Sequence, residues 1–125
     1  RFRETFVLED ASGAELATIK EKKVAIRDTM TIEFGNREAK VHKRALGIRD
    51  RYVIDFDDGD DFTAKGNFLD HEYEIERDGT QVAEVSRKWF RVRDTYGVEI
   101  DDNQDVPLIL AITVCIDAMA GRGPG

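Results

Sequence analysis

The sequence predicts a mainly β fold, an antiparallel meander that curls or closes on itself and is filled by one apolar helix near the C-terminus. Three observations carry this. A strand–turn–strand unit recurs along the chain, turn residues punctuate it at intervals of about 8–12 residues, and the last apolar run is long and carries helix-capping residues.

The chain has 125 residues, 41% of them hydrophobic, which suffices for one core and one domain over residues 1–120 ahead of a Gly-rich tail at 121–125. It opens at Arg1 in mid-pattern, without Met and without a basic-then-apolar leader, so an N-terminal strand is expected to be missing. Arg3-Glu4-Thr5-Phe6 reads as the second half of a truncated repeat.

Three segments superimpose without gaps: Ala17–Phe34, Ala39–Phe56 and Ala83–Ile100. Each holds Ala, a β-branched residue two positions on, a basic residue, an apolar pair and Arg-Asp, then alternating apolar residues. The Arg-Asp pairs are Arg27-Asp28, Arg49-Asp50 and Arg93-Asp94; the second interval is twice the first, so a degenerate unit containing Phe68–Ile75 is expected between them. Met30, Ile32 and Phe34 alternate with polar neighbours, as do Tyr52, Ile54 and Phe56, and Tyr96, Val98 and Ile100, which is strand periodicity. Ahead of Arg-Asp the apolar parity shifts, from Ala17 and Ile19 to Val24 and Ile26, which predicts a bulge or bend around Glu21–Lys23 and its equivalents. Arg-Asp itself is expected at the turn, where Asp accepts from a nearby backbone N–H. Further turns are expected at Asp10–Gly13, Gly35-Asn36, Asp57–Gly59 and Asp78-Gly79.

After Ile100 the pattern changes. Asp101–Asp105 precedes Val106–Met119, a nearly continuous apolar run. Pro107 suits a first helical turn, Asp105 or Asn103 can cap it, and the acidic cluster complements the positive end of the helix dipole. The glycines from 121 onward provide a stop. Two short strands are the alternative for a run so rich in Ile, Val and Thr, but its length without a turn signal favours a helix over about 105–119. Such a helix must be buried all round and is shorter than the roughly 20 residues a bilayer span needs. The inside of a β-barrel would surround it, making Cys115 an inert core thiol.

The single Cys115 excludes an internal disulfide framework and a cysteine-based zinc site, and fits a reducing cytoplasm. A net charge of −7 argues against nucleic acid as a partner. Asp outnumbers Glu and Arg outnumbers Lys, a balance found in proteins of high-salt cytoplasms and equally in ordinary acidic ones.

Gly66–Ile75 (GNFLDHEYEI), Val82–Ile100 (VAEVSRKWFRVRDTYGVEI) and Asp105–Asp117 (DVPLILAITVCID) resemble the LURP-one-related family, over essentially the whole chain. The resemblance implies the tubby C-terminal-like fold shared with phospholipid scramblases, a closed antiparallel β-barrel of about twelve strands around a central hydrophobic helix. Tubby relatives bind phosphoinositide headgroups through basic surface residues, scramblase relatives act at membranes with calcium, and plant members are linked to defence. A shared fold does not by itself carry any of these functions over.

Basic residues precede the repeat turns: Lys20, Lys22 and Lys23; Lys43 and Arg44; Arg87, Lys88 and Arg91. Gathered at one rim, they would hold an anionic lipid headgroup by charge-assisted hydrogen bonds; the plainer reading is a solvated outward face. Asp55, Asp57, Asp58, Asp60 and Asp61 suggest calcium, but the EF-hand order and a downstream Glu are lacking, which favours a solvated acidic hairpin tip. His42, His71 and Ser86 stand in no metal-ligand or nucleophile motif, and no Gly-rich phosphate loop is present. Trp89 is expected exposed and Phe90 buried, since Phe90 aligns with Val24 and Leu46. The expectation is a non-enzymatic, cytoplasmic binding or scaffold module without cofactor or metal, peripheral to an anionic membrane. A protein-interaction or self-associating module is the alternative.

Overall fold

A computed structural model describes residues 5–24, 27–46, 49–88 and 96–121, with backbone alone at 21–24, 27–28, 45–46 and 49. The strands are β1 (Thr5–Glu9), β2 (Glu15–Val24), β3 (Arg27–Phe34), β4 (Arg37–Leu46), β5 (Arg49–Phe56), β6 (Asp61–Asn67), β7 (Glu72–Arg77), β8 (Thr80–Ser86) and β9 (Gly97–Ile100). One helix, α1 (Val106–Ala120), follows them. The strands form one antiparallel sheet in sequence order, β1 through β9.

The repeat is a hairpin. Its three copies are β2–β3, β4–β5 and β8–β9, and the hairpin β6–β7 takes the place of the degenerate unit. Turns at residues 11–12, 35–36, 57–59 and 78–79 stand where the sequence places them. Asp10 closes the first by accepting from the N–H groups of Ser12 (2.8 Å) and Ala14 (3.0 Å). Asp78 and Gly79 have φ of 52° and 81°, the double left-handed pair that a two-residue hairpin of matching twist requires.

Two local expectations are corrected. Arg27 pairs with Val24 and Arg49 with Leu46, so Arg-Asp opens the second strand of these two hairpins instead of forming the turn. The pairing of β2 with β3 also runs unbroken from Thr18↔Glu33 to Val24↔Arg27, so no bulge interrupts Glu21–Lys23. Register shifts occur instead at Leu8/Glu9 and Ile75/Glu76. Trp89, Phe90 and Arg93-Asp94 lie outside the described residues.

The inner face of the sheet carries Ile19, Met30, Ile32, Val41, Ile54, Phe62, Ile75 and Val85, each at most 1% exposed. Against it lies α1, capped by Asp105, whose carboxylate accepts from the Leu108 N–H, with Pro107 in the first turn. Leu108, Ile109, Ala111, Ile112, Thr113, Cys115 and Ile116 are buried, and no residue from Pro107 to Ala120 is exposed. A fully apolar helix has no solvent face, so the sheet must curl around it. The helix accordingly packs on β2 and β3 near one edge and on β9 at the other.

The closed twelve-stranded barrel is not what these residues form. Among the described residues the sheet has nine strands and stays open, with β1 and β9 as its edges. Burial of the helix supplies the curvature, whereas closure needs a hydrogen-bonded register between the edges.

Close approach fixes one glycine. A Cβ on Gly66 would lie 2.6 Å from the Glu72 carbonyl oxygen and 2.7 Å from the Tyr73 Cα, and its φ of 140° is open only to glycine. This lets β6 and β7 converge just before the turn at 68–71, which belongs to the site below.

Candidate functional site

Because the strands alternate in direction, the connections fall at two ends. Turns 11–12, 35–36, 57–59 and 78–79 and the loop 101–105 lie at one end. The β2–β3, β4–β5 and β6–β7 connections and the residues after Ser86 lie at the other. The first end carries Glu9, Asp10, Glu15, Glu38, Asp57, Asp58, Asp60, Asp61, Asp78, Asp101, Asp102 and Asp105, with Arg37 and Arg77 as its cations. The second gathers Lys43, Arg44, Arg51, Arg87 and Lys88, with Asp50, Asp70 and Glu72 among them. Register also places the backbone of Glu21, Lys22, Lys23, Arg27, Asp28 and Arg49 at this end. In a chain of net charge −7, this end nonetheless carries more cations than carboxylates.

Of the predicted anion-binding residues, Lys20 lies farther up β2 opposite Thr31, and its ammonium pairs with Glu33 at 3.1 Å. Lys43 pairs with Asp50 at 3.2 Å, Lys88 with Glu84 at 3.2 Å, and Arg44 and Arg87 are exposed. The side chains of Lys22 and Lys23 and all of Arg91 lie outside the described residues. Ser86 is fully buried and shapes this end: its hydroxyl donates to Glu72 Oε1 at 2.7 Å and accepts from the Lys88 N–H at 3.0 Å. The Arg87 N–H donates to Glu72 Oε2 at 3.1 Å. The Ser86 hydroxyl, followed by the Arg87 N–H, holds the Glu72 carboxyl below its ordinary range. Its carboxylate thus fixes the chain that presents Arg87 and Lys88, and Ser86 is committed to that contact.

The acidic end is organised differently. Asp60 receives a two-point guanidinium contact from Arg77 (2.9 and 2.8 Å) and a further one from Arg37 at 3.0 Å. Arg37 also donates to Asp58 at 2.9 Å and lies 4.2 Å from the centre of the Phe56 ring. Asp60 thus joins Arg37 to Arg77 and Asp58 binds Arg37, at the hairpin tip that the sequence reads as solvated and acidic. Among the described residues, no His, Cys, Asp and Glu side chains converge in metal-binding geometry.

Beneath the basic end lies a cluster that the sequence did not single out. Asp117, in the last turn of α1, accepts from the Tyr96 hydroxyl. The Tyr96 ring stacks on His71 at 4.2 Å and 7°. His71 Nδ1 is 3.4 Å from Asp117 Oδ1, close enough for an ion pair but not aligned as a hydrogen bond. The Tyr73 hydroxyl is buried beside Asp117 and Thr113. Burial raises the Asp117 carboxyl, opposed by the Tyr96 hydroxyl and by His71, and burial raises the Tyr73 and Tyr96 phenols as well. The cluster ties the helix end to the β6–β7 turn and to the start of β9. Its one sequence signal was a lone carboxylate in an apolar run, which needs partners wherever it is buried. His42 stands apart on β4, 4.0 Å from Asp55.

The raised Asp117 carboxyl gives a signed expectation. The folded state holds this proton more tightly than the unfolded chain does, so its contribution is complete below the unfolded value of 3.8 and is lost as pH rises through the raised folded value. Asp117→Asn keeps an acceptor for Tyr96 and does not titrate. Thermal melts should show wild type losing stability relative to Asp117→Asn as pH climbs through the interval just above 3.8. A constant difference across that interval would remove the assignment.

Residues 1–117 match the LURP-one-related family. The chain belongs to that family. No match was found among curated proteins or among solved structures. For this LURP-one-related domain, membership agrees with a β-rich fold carrying one C-terminal helix and with a binding module as its broad role. Among the described residues, no helix is long and apolar enough to cross a membrane.

Proposed function

We propose that this LURP-one-related domain is a non-enzymatic binding module that docks on an anionic phospholipid surface through its basic end. The segregation of charge between the two ends is the observation that carries this reading. β4 has 10 residues, and at about 3.3 Å per residue the ends stand roughly 30 Å apart. The Debye length at physiological salt is about 8 Å, so the acidic end is screened from a surface that the basic end touches. Each basic residue near such a surface contributes about 1 kcal/mol. Lys43 and Lys88 are already paired with carboxylates, so adsorption is weak and reversible. On this reading the surface it meets is the cytoplasmic leaflet, where anionic lipid is concentrated. The full burial of Ser86 supports a structural part for it within a binding module.

The open sheet favours a second reading. β1 and β9 are edges among the described residues, and an edge strand can pair with another chain. That reading predicts concentration-dependent association without lipid.

Co-sedimentation with vesicles across a salt series tests the first reading. The domain should pellet with phosphatidylcholine vesicles containing phosphatidylserine at low salt and be released as salt rises. Equal binding to phosphatidylcholine alone, or no binding at low salt, would overturn it.

A further inference from the structure

We infer that Leu69, at the tip of the β6–β7 turn, is an apolar anchor that enters the interfacial layer of the bilayer on which the basic end adsorbs. This rests on the adsorption proposed above and adds a short-range component to it. Leu69 is 72% exposed, against 48% for Val7 and Val106, the other exposed large hydrophobics among the described residues. Isolated exposed leucines are ordinary on protein surfaces. This one is presented by a clamped turn, at the end whose charge suits an anionic surface.

The clamp has three parts. The Asn67 side chain donates to the Asp70 carboxylate at 2.8 Å and accepts from the Asp70 N–H at 3.1 Å, folding that negative charge back onto the turn. Phe68 points inward, with its ring 4.7 Å from Tyr52 and 5.0 Å from Tyr73. His71 is held at a φ of 56°, a backbone region uncommon for non-glycine residues, while its ring stacks on Tyr96. With Phe68 turned into the core, Leu69 is the apolar residue of the turn that faces outward, beside the exposed, mutually bonded Asn67 and Asp70. A preordered tip loses little entropy on insertion, which favours weak anchors. The exposed Arg87 leaves β8 next to the same turn, its N–H held by the Glu72 carboxylate. One leucine is too small for a protein interface core, yet it suits the boundary between headgroups and acyl chains.

The test places an environment-sensitive fluorophore on Leu69→Cys and adds phosphatidylcholine vesicles with and without phosphatidylserine. Cys115 is fully buried, and the unsubstituted protein serves as the labelling control. Blue-shifted, several-fold brighter emission with anionic vesicles, together with about a tenfold loss of binding in Leu69→Ala at unchanged salt slope, is the expected result. Pelleting of the labelled protein with unshifted emission would overturn the insertion and leave the electrostatic adsorption standing. Failure of the unsubstituted protein to pellet at low salt would overturn both.

Discussion

Ile112→Ala should destabilise the domain by about 3 kcal/mol, within the usual range for a truncated core aliphatic. Ile112 is fully buried in α1, on the same stripe as Ile109 and Ile116, which are also fully buried. The helix is surrounded, so removing three carbons leaves a cavity that no neighbouring solvent-facing side chain can fold into. The higher helix propensity of Ala offsets a few tenths of a kcal/mol. A loss of this size lowers the thermal midpoint by roughly 10 °C in a domain of such length. Val106→Ala is the control. Val106 is 48% exposed at the start of the helix, and its truncation should cost under about 0.5 kcal/mol. Equal effects at the two positions, read by thermal or urea denaturation, would mean that the sheet does not enclose the helix.

Much of this architecture was legible in the residues. The hairpin repeat and the turns at Gly35-Asn36 and Asp78-Gly79 follow from alternation and from residues that tolerate positive φ. The helix follows from Asp105, Pro107 and an uninterrupted apolar run. Arg-Asp was misplaced because a recurrent polar pair resembles a turn, whereas the pairings Val24↔Arg27 and Leu46↔Arg49 put each connection just ahead of it. Closure was not legible. It depends on the register between the first and last strands, and no local pattern encodes that relation.

The candidate site was legible in part. Lys43, Arg44, Arg87 and Lys88 precede connections at one end of the meander, so the alternation of strand direction gathers them. Lys20 was drawn in by its neighbours in sequence, yet it sits farther along β2. The cluster of His71, Tyr96 and Asp117 joins three distant stretches of chain and exists only in the folded state. Arg37 and Arg77 were missed for the same reason, since each meets Asp60 across the sheet.

The second large effect concerns binding and bears directly on the division of charge between the two ends. Lys43→Gln/Arg44→Gln removes two cations from the basic end, worth about 2 kcal/mol near an anionic surface, or roughly thirtyfold in partition. Both side chains are exposed, so folding should be unaffected. Loss of Lys43 also frees Asp50, which adds a negative charge to the same end. Asp101→Asn/Asp102→Asn makes the opposite change in net charge, on exposed residues at the far end. Fewer negative charges would strengthen binding if net charge governed adsorption, but they have little effect if the basic end alone meets the membrane.

The most direct measurement is therefore the partition of these two variants and the unsubstituted protein onto phosphatidylserine-containing vesicles over a salt series. The end-specific account predicts that Lys43→Gln/Arg44→Gln loses about thirtyfold at low salt with a shallower salt slope, while Asp101→Asn/Asp102→Asn stays within about twofold of the parent. Displacements that track net charge alone, by similar factors in opposite directions, would contradict it.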